Sequence, residues 1–502
     1  MASLNQIEHV VVLMLENRSF DNVLGWLYDP ANPNPFNKEP PANFEGVYGK
    51  DLSNAWLKGV VPVAKGQRPT DPFPDPGEPY EDVYEQLYNV PAVALNQTPP
   101  PTPPTMQGFV NNYARKNGAN PEIIMNCFTP ATLPVLSSLA FYYGVCDHWF
   151  CSIPSQTLCN RSFVHAGTSS GYVDNAGKDV LFINKAPTIF NLLSAAKRSW
   201  KVYTAGWTVT SLVMLTQEKV WDYALQPGRF EFLHDFENDA KKPGGLPAYS
   251  YIEPNYMDSL RWGPENDMHP ESHAAELFGI SNVGEGEKLV YRVYSAVRDS
   301  PDWNKTLLII LFDEHGGCYD HVPPPKTFSP GGKVIPTSEP GGSGFAFDRL
   351  GIRVPAVVVS PFTPPGTLND IFDHTSVLKT IMNCFGLGKD GLGDRTAASA
   401  DLSSAVDLTV PRSDSPPIPQ PQNVVISLTE RTLALGKWLM HASEKPITGL
   451  HRSALVGIAQ RLERPDLETQ AQGAKSVFDA EAVAIKLEAE LWKRRHTTMP
   501  VS

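Results

Sequence analysis

Two stretches of this chain do the same unusual thing: an apolar run, rich in β-branched residues, stops dead on carboxylate and amide side chains. The first, "IEHVVVLMLENRSFD", carries Ile7 to Leu15 into Glu16 and Asn17. The second, "TLLIILFDEHGGCYDHVPPP", carries Thr306 to Phe312 into Asp313, Glu314 and His315. Short continuous apolar runs suit strands covered on both faces, hence a parallel sheet between helices. "KVYTAGW" at 201–207 and "VPAVVVS" at 354–360 are runs of the same kind. Helical spacing alternates with them: Phe20, Val23, Leu24 and Leu27 after Asn17, and Leu378, Ile381, Met382 and Phe385 after "DHTS". That alternation predicts an α/β fold.

In open α/β sheets ligands bind beyond the carboxyl ends of the strands, which is where Glu16, Asn17, Asp313 and Glu314 fall. Read singly, Asn17 or Ser19 caps the next helix and Glu16 lies in solvent. Read together, stray buried acids are costly, and the repetition points to a shared ligand. Four such oxygens suit one hard divalent cation, which also removes the repulsion between carboxylates. Gly316 and Gly317 fit a tight turn or a close backbone approach.

A nucleophile is the next requirement, and "WFCSIPSQTLCNRSF" at 149–163 offers Ser152, Ser155, Thr157 and Cys159. A hydroxyl beside a metal ion needs no histidine base to be deprotonated near neutral pH. Arg161 offers a bidentate fork for phosphate oxygens; a polar loop with Arg161 in a salt bridge fits the same residues. "ENDMHPESHAAELF" places His269 ahead of Pro270 at a helix start, with His273 one turn on. His374 precedes another helix, while His165 and His321 have weaker claims.

Composition narrows the partners. A net charge of −12 over 502 residues argues against a nucleic-acid binder, which needs a basic face. No apolar run is long enough to span a membrane, and no basic amphipathic helix stands out, so membrane contact would be transient and at the surface. The start of the chain does not read as a signal peptide, which predicts a cytoplasmic protein, or a secreted one if a leader is missing. Six cysteines without CxxC spacing suggest reduced thiols. Residues 1–410 read as one catalytic domain, with a proline-rich insertion at about 29–105 anchored by Trp56, Tyr80, Tyr84 and Tyr88. Residues 411–423, "PRSDSPPIPQPQN", read as a linker, and 424–502 as a helical C-terminal region.

Taken in order, "IEHVVVLMLENRSFD", "SIPSQTLCNR", "NDMHPESH", "FDEHGGCYDHVPPP" and "DHTSVLKTI" resemble the signature blocks of the phosphoesterase family. That family holds bacterial phospholipases C, plant non-specific phospholipases C and a group of acid phosphatases. The resemblance implies a three-layer α/β/α sandwich of the alkaline-phosphatase-like type, and a metal-assisted hydroxyl nucleophile. It implies metal ligation by Glu16, Asn17, Asp313 and Glu314, and catalysis by Thr157, His269 and His374. Asn17, Arg161 and His315 would meet substrate. The family pattern Thr-x-Pro-Asn-Arg reads here as Thr157, Leu158, Cys159, Asn160, Arg161, so the usual proline is missing and Ser155 stays open as the nucleophile. The implied reaction is phospholipase C hydrolysis, releasing diacylglycerol from glycerophospholipids through a phosphothreonine. The alternatives are an acid phosphatase acting on phosphomonoesters, or a non-catalytic phospholipid binder on the same scaffold. A sulfatase would need Cys-x-Pro-x-Arg or Ser-x-Pro-x-Arg, which the chain lacks.

Overall fold

The apolar runs become the middle of an eight-stranded sheet. In chain order its strands are β1 (His9–Leu15), β2 (Gly144–Cys146), β3 (Trp200–Thr204), β4 (Phe230–Phe232), β5 (Tyr249–Glu253), β6 (Thr306–Phe312), β7 (Ala356–Val359) and β8 (Gly366–Leu368). Side by side they run β4-β3-β5-β1-β6-β7-β2-β8. This computed structural model describes residues 4–57, 59–66, 68–90, 103–117, 120–177, 180–181, 184–259, 261–270, 283–331, 345–388, 392–421, 447 and 449–497. His273, most of the proline-rich tip at 98–105 and residues 424–446 of the C-terminal region lie outside the described residues.

β1 and β6 are adjacent, parallel and in register from His9 opposite Thr306 to Leu15 opposite Phe312. Every residue of both is buried, as strands covered on two faces require. The 354–360 run also forms a strand, but β7 is antiparallel to both β6 and β2, so the expected parallel sheet is mixed. A continuous apolar run reports burial on both faces, which β7 has, and carries no information about direction.

After α1 (Phe20–Leu24), α2 (Tyr80–Tyr88) and α3 (Phe109–Asn117), helices α4 (Pro134–Tyr142), α5 (Thr157–Ala166), α6 (Val283–Arg298) and α7 (His374–Phe385) cover the sheet in two layers, α4 packing with α6 and α5 with α7. The start of α7 is fixed by a capping box between Asp373 and Ser376, and its end by Gly386 at φ 63°. The periodic pattern after Asn17 yields only a short helix, Phe20–Leu24, which stops at Gly25.

The insertion folds as a cap with its own small core. Val83, Tyr84, Leu87 and Tyr88 of the helix Tyr80–Tyr88 meet Phe109 and Tyr113 of the helix Phe109–Asn117, together with Tyr319 from beyond β6. Removing side chains of this size from water stabilises the cap by about 1.5–3 kcal/mol each. A hairpin, Ser53–Trp56 with Gly59–Pro62, rides on it through Asn54, which donates to the Met106 carbonyl at 2.7 Å. Leu57 at its tip is 95 % exposed, and Val60 follows at 71 %.

Residues 411–421 run along the body of the protein, where the Arg412 guanidinium donates to the carbonyls of Tyr142 and Thr363. Three C-terminal helices, Gly449–Arg461, Pro465–Gly473 and Val477–Thr497, bury Leu455, Leu467 and Leu487 in the main apolar core. The last is pinned to the body by Glu488, which accepts from the Thr208 hydroxyl and the Val209 amide, and by Glu481, which accepts from Ser259.

Candidate active site

Because β1 and β6 are neighbours in register, their acidic ends emerge side by side. Asn17 turns the chain in the left-handed region at φ 60°, unusual for a residue with a side chain. Its amide donates to Asp313 Oδ1 at 3.1 Å, tying one strand end to the other. Gly316 makes this approach possible: a Cβ there would stand 2.0 Å from the Asn17 carbonyl oxygen, and its φ is 62°. Glu314 Oε2 accepts from the Gly316 amide at 2.8 Å.

Arg161, on the second turn of α5, is 1 % exposed and faces inward. Its Nε donates to Asp313 Oδ2 at 2.9 Å, its Nη2 lies 3.3 Å from Glu16 Oε1, and other N–H groups reach Tyr251 and the carbonyls of Met14 and Leu15. The guanidinium is thus the internal counter-charge of the two strand-end acids.

The hydroxyls of the 149–163 loop separate by what they touch. Ser152 donates to Asp373 at 2.8 Å and Ser155 to the Val173 carbonyl, so both are committed to fixed protein acceptors. Thr157, the first residue of α5, has its hydroxyl 3.4 Å from Asn17 Oδ1, at the edge of the carboxylate group. Cys159, standing where the family pattern has proline, is buried with its thiol on the Asp174 carbonyl.

His269 Nε2 lies 2.9 Å from Asn17 Nδ2 and 3.4 Å from Glu78 Oε1. Burial alone would lower its pKa, but Asp75, Glu78 and Glu16 outweigh it and lift the imidazole well above the usual range. The side chain is still 29 % exposed, so it can exchange protons with a ligand or with water. His374 is enclosed: one ring nitrogen donates to the Asp313 carbonyl at 2.6 Å, and the other receives the Trp149 indole at 3.4 Å. Burial lowers its pKa and keeps it neutral. His315 donates to Gln86 Oε1 at 2.7 Å, and burial takes it down to about 3.

Three participants come from the insertion, and no periodicity or motif in that stretch singles them out. Glu78 Oε1 accepts from Asn17 Nδ2 at 2.5 Å, Asp75 lies 3.9 Å from His269 Nδ1, and Gln86 holds His315. The only local signal is "DPGEP", two acids around a glycine.

Glu16, Glu78, Asp313 and Glu314 therefore share one pocket of charge with Arg161. Burial drives Glu16 and Glu314 well up; Arg161 opposes the rise at Glu16, while Glu78 and then Asp313 add to it at Glu314. Glu16 Oε1 and Glu314 Oε1 are buried and make no hydrogen bond. Glu314 Oε1 has no partner and Glu16 Oε1 only the Arg161 ion pair at 3.3 Å, and such oxygens beside an excess of acid are the donor set of a hard cation. Among the described residues, ligand-like spacing is found in two groups beside this set: Asp75 with Glu78 and His269, and Asp21 with Asp320 and His321. In the second group Arg353 already bridges both carboxylates at 2.9 Å, so the positive charge is built in.

The adjacent strand ends thus bring a group of acids together beside Asn17, which the Thr157 hydroxyl meets. Residues 7–388 match the Phosphoesterase family, and the chain belongs to it; it is a phosphoric ester hydrolase. Non-specific phospholipase C5 of Arabidopsis thaliana is 35% identical over 426 residues, covering 82% of this chain and 76% of that protein. Phospholipase C A of Mycobacterium tuberculosis is 28% identical over 444 residues, covering 82% and 80%. A solved protein of the alkaline phosphatase superfamily from Vibrio parahaemolyticus aligns at 11% identity with a TM-score of 0.30, over 54% of this chain and 63% of that one.

Proposed function

We propose that the protein is a phospholipase C that cleaves glycerophospholipids on the diacylglycerol side of phosphorus, with Thr157 as nucleophile. The observation that carries this is the hydroxyl inventory: of Ser152, Ser155 and Thr157, only Thr157 meets the ionic site. The similarity to named phospholipases C supports the diester substrate.

Glu16, Asn17, Asp313 and Glu314 would hold a divalent cation, whose charge lowers the pKa of an adjacent hydroxyl and neutralises phosphoryl oxygens. The rest is done by the chain itself. Arg161 fixes Asp313 and Glu16 from behind, and His374 fixes the Asp313 main chain. The Thr157 hydroxyl gives up its proton to solvent, and its oxygen bonds to phosphorus as the bond to the diacylglycerol oxygen breaks. His269, beside Asn17 and partly open to solvent, would give that oxygen its proton. Water, losing a proton to the same imidazole, then bonds to phosphorus as the Thr157 oxygen leaves and takes a proton back from solvent. Positioning and charge stabilisation supply most of the acceleration. The exposed Leu57 and Val60 of the hairpin give the cap an apolar edge for brief contact with a lipid surface.

The test is hydrolysis of phosphatidylcholine and of p-nitrophenyl phosphate by wild type and Thr157→Ala, with divalent cations and with chelator. Diacylglycerol release that Thr157→Ala abolishes is the expected result. Turnover of the monoester alone would make the protein a phosphatase, and diacylglycerol release undiminished in Thr157→Ala would remove Thr157 from the mechanism.

A further inference from the structure

Asp75-Pro76-Gly77-Glu78 is a proline-rich stretch with no regular structure, yet it reaches into the most charged part of the protein. Glu78 is 9 % exposed, and its carboxylate accepts a 2.5 Å hydrogen bond from the side chain of Asn17. The stretch is seated against the glycine turn after β6. A Cβ on Gly317 would stand 2.5 Å from Pro76 Cβ and 2.8 Å from the Gly77 carbonyl oxygen. Gln86 locks the seat, donating to the Gly77 carbonyl at 2.7 Å while its oxygen takes His315. Arg18, next to Asn17, donates to the Asp71 carbonyl at 2.6 Å from the same side.

The charge balance does not close. Lys116 and Arg115 neutralise Asp82 and Glu85 on the far side of the cap helix. Glu78 has no lysine or arginine within ion-pair distance among the described residues, only His269 at 3.4 Å. Glu314 lies close enough to feel the charge of Glu78, with an Oε1 that is fully buried and accepts nothing, and Glu16 Oε1 has only Arg161 at 3.3 Å. Four acids share Arg161 and one imidazole, so their full ionisation would leave two negative charges in a buried space. An uncompensated charge of that size is among the most costly things a protein can bury. A second acid loop folded onto the site deepens the deficit unless a cation is there to be shared.

We propose that Glu78 is a further ligand of the divalent cation, so that the cation clamps the insertion to the ends of the central strands. The cap then seats fully only on the loaded protein, and Glu78 sets both cation affinity and the order of the loop that roofs the site. This rests on the cation site proposed above, and adds to it a ligand from a segment outside the motifs.

The experiment uses the full chain stripped of metal, as wild type, Glu78→Gln and Glu16→Gln. Each is titrated with MnCl2, free ion being read by electron paramagnetic resonance, and with CaCl2 and ZnCl2 by equilibrium dialysis. Amide hydrogen exchange over residues 68–90 is followed with and without the bound ion. Wild type is expected to bind, and Glu78→Gln to bind more than about 10-fold more weakly, the scale of losing a metal-site partner. The ion should slow exchange at 75–88 in wild type and leave Glu78→Gln unchanged. In chelator, Glu78→Gln should melt no lower than wild type, since it removes one of the clustered acids; that separates lost ligation from misfolding. If Glu78→Gln binds and protects like wild type while Glu16→Gln does not bind, the clamp is overturned and the cation site stands. If wild type binds none of the three ions, both are overturned.

Discussion

Arg161→Met tests whether the site is held together by internal charge compensation. The substitution keeps a long side chain but removes the only guanidinium within reach of Asp313 and Glu16 among the described residues, at 2.9 and 3.3 Å. Both partners are buried, so the loss is that of breaking a buried pair from one side, about 3–5 kcal/mol. With an unfolding entropy of about 2.1 cal/mol/K per residue, and roughly 400 residues melting with the core, 4 kcal/mol lowers Tm by about 5 °C. Because a divalent cation neutralises the same acids, the drop should be largest in chelator and partly recovered with saturating metal. Arg161→Lys should fall between the two, its single ammonium being unable to serve Asp313, Glu16 and Tyr251 at once. Scanning calorimetry with and without chelator reads both effects. An Arg161→Met protein melting within about 1 °C of wild type in chelator would refute the reasoning, because Asp313 and Glu16 would then have needed no counter-charge.

Gly317→Ala should unseat the cap and lower kcat/KM about 10-fold or more, since Cβ would meet Pro76 Cβ at 2.5 Å in a backbone at φ 64°; unchanged kinetics would detach the seat from the reaction. Glu287 accepts the Val135 and Leu136 amides at the start of α4, and burial still lifts its carboxyl from 4.5 to about 8. A raised folded pKa gives stability that is full below pH 4.5 and lost as pH climbs through about 8. Glu287→Gln should therefore flatten the Tm–pH curve over that range, and parallel curves would contradict it. Leu57→Asp should slow hydrolysis of phosphatidylcholine in vesicles while sparing a short-chain soluble diester; equal loss on both would rule out a surface role for the hairpin.

How far the site could be read from the sequence depended on locality. Glu16, Asn17, Asp313 and Glu314 were legible because each directly follows a buried strand, and a strand end has a fixed meaning in this sort of sheet. The meeting of Thr157 with Asn17 was legible only through motif order, since nothing between residues 17 and 157 encodes the distance. The direction in which Arg161 points was not legible at all: a guanidinium near an anion site fits substrate or scaffold equally, and Tyr251 and the Met14 carbonyl decide it. His374 poses the same problem, because its neighbour is the main chain of Asp313 rather than a side chain. Glu78 was hidden for a different reason. Its segment has no period, so only the fit of Pro76 and Gly77 against Gly317 places it. The direction of β7 went unread because hydrophobicity is the same either way along a strand.

The pairing of β1 with β6 also has a consequence for biosynthesis. Asn17 and Asp313 share a hydrogen bond across 296 positions of chain. A ribosome must therefore make the whole intervening chain, and then α7 to brace Asp313, before the site is assembled. Contacts of such long reach form slowly, and the nascent polypeptide has no working site until most of the domain exists.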